Sequence, residues 1–203
     1  MSTEKLTQAD VDRMMSQLTQ APVAPSTTIS QMESDIIGEV GNISMSQAAT
    51  TLSEILGHKV HITTPQVFVK SIREVIDAAV KPKIITSIGF KKGLTGNNLL
   101  LMDAQDSVII ANLMMGGDGQ VTSSELTELE LSAVGEAMNQ MMGSSATAMA
   151  TMLGKMIDIL PPEVHLVDDK EHFNVDIGVE NLNADFCLIA FQLEVEGILQ
   201  SEI

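Results

Sequence analysis

Sliding the chain against itself by 97 positions brings two stretches into register without a gap. Residues 35–65 read DIIGEVGNISMSQAATTLSEILGHKVHITTP, and residues 132–162 read SAVGEAMNQMMGSSATAMATMLGKMIDILPP. Ten of the 31 aligned positions are identical: Gly38, Glu39, Asn42, Met45, Ala49, Thr50, Leu56, Gly57, Ile62 and Pro65, with counterparts Gly135, Glu136, Asn139, Met142, Ala146, Thr147, Leu153, Gly154, Ile159 and Pro162. A repeat this long is a duplicated supersecondary unit, so whatever one copy folds into, the other must echo. Most matches are packing residues, as a shared helix-turn-strand unit requires. Glu and Asn are different, because neither is needed to fill a helix–sheet interface.

At about 100° per residue, positions i, i+4 and i+7 fall within roughly 60° of one another on a helix. Asp35, Glu39 and Asn42 therefore share one face, as do Ser132, Glu136 and Asn139. Apolar neighbours such as Ile36, Val40 and Ile43 point in other directions and are expected to face the sheet. A carboxamide has an acceptor oxygen and two donor hydrogens and does not titrate. It is a poor general base but can orient a water molecule. Phosphoryl transfer rests on positioning and charge stabilisation, so an amide suffices where the substrate brings its own metal. The carboxylate one turn earlier can pair with a basic group on an incoming protein and fix its register. The bland alternative is a solvated helical face, with the second Glu–Asn pair kept by shared ancestry alone.

Charge narrows the partners. Eleven Lys and Arg against 27 Asp and Glu give a net charge of −16, which argues against phosphate backbones and anionic membrane surfaces. It favours a partner that is basic around its docking site. With five Phe, no Trp and no Tyr, the 14 Met and the aliphatic residues must fill the core. The cluster Met138, Met141, Met142, Met149 and Met152 reads as core, with a docking face near Asn139 as the alternative. Cys187 is the one cysteine, so no internal disulfide forms and a reducing compartment is expected. Within FCLIAF it reads as a buried, inert thiol. The opening MSTEKLTQADVDRMM has no apolar secretory core, and no apolar run approaches the ~20 residues that span a bilayer. A soluble, cytoplasmic chain is the expectation.

Residues 1–18 read as a short amphipathic helix, with Thr7 and Asp10 in a capping-box spacing and an apolar stripe of Leu6, Val11, Met14, Met15 and Leu18. Residues 19–29 are proline-bearing and polar, a tether. A sticky helix on a tether points to a partner, or else to docking on its own domain. The folded domain spans 30–203. Ser30 and Glu33 open a long helix to Leu56, and strands are expected at Lys59–Thr63, Ile84–Phe90 and Asn98–Met102, the last two joined by the turn-rich KKGLTGN. A helix follows over Asp106–Met115, stopped by GGDGQ, which lacks the Lys of a phosphate-cradling loop and reads as a turn. Thr122 with Glu125 starts another long helix to Leu153. Strands at Met156–Ile159, Val164–Val167, Asn174–Val179 and Phe186–Glu194 finish the chain. The fold class is α/β (α+β), with long helices packed on a largely antiparallel sheet.

At the Glu–Asn face the sequence resembles the CheC/CheX/FliY family of chemotaxis phosphatases. Its signature is Asp or Ser, three residues, Glu, two residues, Asn, 22 residues, Pro; Asp35–Glu39–Asn42–Pro65 and Ser132–Glu136–Asn139–Pro162 both fit it. Two complete copies resemble the CheC and FliY branches rather than CheX. The N-terminal LTQADVDRMM is similar to the LSQxEIDxLL peptide with which flagellar switch proteins bind the response regulator CheY, and CheC lacks such a tether. The FliY branch, flagellar motor switch phosphatases, fits both features. Its members usually continue into a FliN-like domain, whereas this sequence stops at Ile203.

The resemblance implies a CheC-like pseudo-two-fold fold and hydrolysis of the aspartyl phosphate on CheY. By motif, Asn42 and Asn139 would align the attacking water, and Glu39 and Glu136 would pair with a CheY lysine. Asp35 and Ser132 would support the helix face, and Pro65 and Pro162 would set the backbone at strand turns. No cofactor of its own is implied, since Mg2+ would belong to CheY, and His58, His61, His165 and His172 form no ligand motif. The implied partners are phosphorylated CheY and the switch proteins FliM, FliG and FliN-like, at the cytoplasmic face of the flagellar basal body. Two other roles are compatible: a non-catalytic switch adaptor that binds CheY, and a CheC-like partner of the deamidase CheD, which the tethered peptide disfavours.

Overall fold

A computed structural model describes residues 29–121, 126–167 and 181–203. Its frame is two helices of equal length. Helix α1 (Gln31–Leu56) starts at Ser30, whose backbone N–H donates to Glu33 Oε2 at 2.8 Å while the Glu33 N–H donates back to Ser30 Oγ at 3.3 Å. It ends at Gly57 with φ 65°, a left-handed turn that costs glycine nothing. Strands β1 (Val60–Ile62) and β2 (Gln66–Ser71), helix α2 (Ile72–Ala78), strands β3 (Lys83–Lys92) and β4 (Asn97–Asp103) and helix α3 (Ala104–Met114) follow. Helix α4 (Glu128–Leu153) then opens the second repeat, with strands β5 (Asp158–Ile159), β6 (Glu163–Val167), β7 (Asp185–Ala190), β8 (Gln192–Val195) and β9 (Leu199–Glu202).

The start of α4 corrects the sequence expectation. Thr122 and Glu125 lie outside the described residues, and the cap is Thr127, whose N–H donates to Glu130 Oε2 at 2.7 Å. Both pairs have the capping-box spacing, but only Thr127 and Glu130 sit 97 residues after Ser30 and Glu33. Gly154, at φ 60°, matches Gly57 at the other end. The repeat thus holds from cap to cap.

Helices α1 and α4 pack directly on one another. Ala48, Leu52 and Met45 of α1 join Val134, Ala137, Met138 and Met141 of α4 in one buried cluster with Leu193, Val195 and Phe191. Met142 and Met149 are buried as well, so the methionine cluster is core except for half-buried Met152. Each helix also runs close over the second strand of its own repeat. A Cβ built at Gly38 would lie 3.4 Å from Val67, and one built at Gly135 would lie 3.4 Å from Val164, again 97 residues apart.

Pairing among the described strands is antiparallel throughout, and it crosses between halves. β2 pairs with β7 and β1 with β8, while β6 and β5 both pair with β3, β6 at its start and β5 at its end, where a bulge falls between Phe90 and Lys92. Hairpins β3–β4 and β8–β9 complete the sheets. The expected strand Phe186–Glu194 is in fact two. Buried Phe191 leaves the ladder between them and exchanges backbone hydrogen bonds with Ile203 at 2.9 and 3.0 Å. β9, which pairs with β8, was not anticipated. Between the expected strands Lys59–Thr63 and Ile84–Phe90 the chain forms β2 and α2. The expected strand Asn174–Val179 and the N-terminal helix and tether lie outside the described residues.

Candidate active site

The capping pattern fixes where the Glu–Asn face points. Buried positions of α1 (Gly41, Ser44, Met45, Ala48, Ala49, Leu52, Leu56) define one side of the helix, and Asp35 and Glu39 fall outside it, exposed. Asn42 sits at the margin, half-buried. On α4 the buried side is Val134, Ala137, Met138, Met141 and Met142, which leaves Ser132, Glu136 and Asn139 exposed. All four Glu and Asn side chains are thus accessible to a macromolecule, as the repeat geometry predicts.

The surroundings of the two faces differ. Gln31 Nε2 donates to Asp35 Oδ1 at 2.7 Å, one turn before Glu39. On α4 the corresponding amide lies on the far side of the acid, where Gln140 Nε2 donates to Glu136 Oε1 at 2.6 Å. Glu39, Asn42 and Asn139 make no side-chain hydrogen bond with the described residues, so their polar atoms are available to an incoming group. Gln31 and Gln140 were not singled out from the sequence, although i, i+4 spacing to Asp35 and Glu136 marks both. Pro65 and Pro162 are half-buried and immediately precede β2 and β6. Each fixes the backbone where the chain turns into the strand lying under its helix.

Ile43 does not face the sheet, and Ile36, although largely exposed, lines with Val40 the cavity between α1, α4, β4 and β7. Ile36 and Ile43 are 57% and 40% exposed, beside Glu39, because Gly41, Ser44 and Ala48 make the buried side and leave the isoleucine flank uncovered.

An apolar cavity of about 280 Å³ opens between α1, α4, β4 and β7, lined by Val40, Ser44, Leu100, Met149 and Ile189 among others, and it contains none of the four Glu and Asn residues. The Glu–Asn faces are open helix surface, a shape that suits a substrate carried on another protein better than a small molecule held in a pocket. Cys187 borders this cavity and is exposed, which corrects the buried-thiol expectation. Alternation along β7 explains it: an apolar run reads as buried on both faces, whereas β7 turns Asp185 and Cys187 outward. Partial desolvation pushes the thiol above its ordinary pKa. The GGDG segment is a turn. Asn112 Oδ1 accepts from the Gly119 N–H at 2.8 Å, and a Cβ at Gly117 would collide with the same side chain.

Comparison with known proteins follows the same two units. The model of the CheC-like family matches residues 32–69 and 129–166, from the first turn of each helix to the second strand of each repeat. The flagellar motor switch phosphatase FliY of Bacillus subtilis is 41% identical over 209 residues, covering 100% of this chain and 54% of that protein. CheY-P phosphatase CheX of Thermotoga maritima is 35% identical over 81 residues, covering 40% of this chain and 50% of CheX. The chain therefore spans about half the length of the first of these, and its match to the second also covers half. The crystal structure of Thermotoga maritima FliY superposes with a TM-score of 0.78 at 42% identity, covering 86% of this chain and 89% of that one. With both repeats matched, and that solved structure similar over nearly its whole length, the chain belongs to the CheC-like family.

Proposed function

We propose that this chain is a phosphatase that hydrolyses the aspartyl phosphate of CheY at the flagellar motor switch, and so acts on flagellar rotation. The observation that carries the reading is the pair of accessible carboxamides, Asn42 and Asn139, each one turn beyond an exposed carboxylate on symmetry-matched helices. The names of the relatives, a motor switch phosphatase and a CheY-P phosphatase, support it.

The chemistry requires little of the protein. Water attacks phosphorus, the bond from phosphorus to the aspartyl oxygen breaks, the carboxylate departs, and inorganic phosphate carries the water's proton. The side-chain carbonyl of Asn42 or Asn139 accepts a hydrogen bond from that water and holds its lone pair in line with the breaking bond. An amide has no proton affinity near neutrality, so the phosphoryl oxygens, not the protein, take up the proton. Glu39 or Glu136 pairs with a lysine of CheY and sets the depth to which the asparagine enters. The Mg2+ that balances the phosphoryl charge arrives with CheY as part of the substrate. Asp35 and Ser132 support the helix face.

Residues 1–18, outside the described region, carry Leu6, Thr7, Asp10, Val11, Met14 and Met15 as the CheY-capturing peptide. Capture on a tether of about a dozen residues raises local substrate concentration toward the millimolar range. FliM, FliG and FliN-like switch proteins are the assembly partners, at the cytoplasmic face of the motor. Among the described residues no helix is long and apolar enough to cross a membrane.

The test follows the decay of phosphorylated CheY with wild type, Asn42→Ala, Asn139→Ala and the double variant. Decay with the double variant should fall to the spontaneous rate of CheY alone. Decay as fast as wild type would leave the chain a CheY-binding adaptor and end the phosphatase reading.

A further inference from the structure

The two Glu–Asn faces share a backbone but not a rim. Ile36 and Ile43 lie within about 60° of Glu39 around α1, at the distance of neighbouring side chains on one helix surface. They are 57% and 40% exposed, and the charged group beside them is the one that greets an incoming protein. Positions 97 residues on, around Glu136, hold Ala133 and Gln140, and Gln140 already donates to that carboxylate at 2.6 Å. Isolated exposed isoleucines are ordinary. Two of them flanking one acid, and absent from the copy that keeps the same Glu–Asn pair, form a contrast between the two faces.

We infer that Ile36 and Ile43 are binding determinants of the first site: they pack against an apolar patch beside the phosphorylated aspartate of the same receiver protein, so the first site holds its substrate more tightly than the second. The inference rests on the reading that the Glu–Asn face is where the phosphorylated protein docks. Charge and continuity select this occupant. Exposed Asp35 and Glu39 border the strip, on a chain of net charge −16, and they call for a partner with a basic group next to an apolar one. Docking that engages Glu39 necessarily brings the partner over Ile36 and Ile43. At the second site an incoming ammonium must share Glu136 with the Gln140 amide, and the position matching Ile36 holds Ala133, which is half-buried against the core.

The experiment uses the full chain and phosphorylated CheY, with one site disabled at a time. Asn139→Ala leaves the first site and Asn42→Ala leaves the second. The first-site protein should show the lower KM. Adding Ile36→Ala and Ile43→Gln to it should raise KM on the order of tenfold with a smaller change in kcat, as expected when apolar contact made equally in ground and transition states is removed. The reciprocal change at the exposed position, Gln140→Ile, in the second-site protein should lower KM. Equal KM values for the two single-site proteins, or no response to the isoleucine changes, would overturn the inference while leaving the phosphatase reading intact. Wild-type decay by the Asn42→Ala/Asn139→Ala double variant would instead remove the underlying reading. A KM contrast that vanishes on deleting residues 1–28 would assign the strip to that segment, and self-association abolished by the isoleucine changes would assign it to a second copy. Either result also overturns the inference.

Discussion

Gly41 in the first helix has Met138 as its counterpart 97 residues later, and the two halves are packed differently around that exchange. A Cβ at Gly41 would already lie 3.3 Å from Ile189 and 3.4 Å from Phe191, whereas Met138 is 1% exposed in the middle of the shared core. Caps, helix lengths and the Gly38–Val67 and Gly135–Val164 approaches match in both halves. The lesson is about which parts of a duplicated unit are free to diverge. Caps and helix–strand approaches set the backbone frame, and within that frame core volume can be redistributed between halves. The Glu–Asn pairs, which fill no core, match for another reason.

The sharpest break in the comparison would come at the asparagines. Disabling both should cost on the order of 10²-fold in the enzyme-dependent decay rate of phosphorylated CheY, the scale of losing a positioned reactant. Each single variant should retain activity, and one silent site would show that the matching geometry conceals an unequal chemistry. Next in size is the core exchange. Met138→Ala should destabilise by about 2–5 kcal/mol through the cavity it leaves, read as a shift in the denaturant midpoint. Gly41→Met, which copies the second half into the first, should still cost about 1–3 kcal/mol, because a Cβ at Gly41 lies only 3.3 Å from Ile189, which must shift to admit it. Neutrality at Gly41 would mean that the halves are interchangeable after all.

The caps should give the smallest and most equal effects. Ser30→Ala and Thr127→Ala should each lower stability by about 1 kcal/mol, as loss of an N-cap hydrogen bond does. Gly57→Ala and Gly154→Ala force a side chain into the left-handed region and should also cost about 1 kcal/mol apiece. Thermal or chemical unfolding of the four single variants checks whether the frame is as symmetric energetically as it is geometrically. A large difference between Ser30→Ala and Thr127→Ala would place more of the frame's stability in one half.

Features set by local spacing were legible in the sequence. The Ser30–Glu33 box, the β3–β4 hairpin around KKGLTGN, and the exposure of Glu39, Glu136 and Asn139 all follow from periodicities of a few residues. Features decided by distant partners were not. Nothing between residues 186 and 194 says that Phe191 must leave the ladder, because its backbone is claimed by Ile203. Ile36 and Ile43 looked like core because an apolar side chain on an amphipathic helix usually is, but small residues at 41, 44 and 48 had already been chosen for the buried side. The true start of α4 was available all along, since carrying Ser30 forward by the repeat offset lands on Thr127. Two boxes competed locally, and only the long-range register separates them.

The crossing of strands between halves has a practical consequence. Severing the backbone in the connection between α3 and α4 would give one piece holding β1 and β2 and another holding β7 and β8; β1, β2 and β7 would lose every ladder partner they have, and β8 would keep only its hairpin with β9. Neither piece is a miniature of the whole, so a half-length fragment cannot serve as an isolated catalytic centre. Anyone wishing to watch one centre work alone must silence the other by substitution and leave the polypeptide uncut.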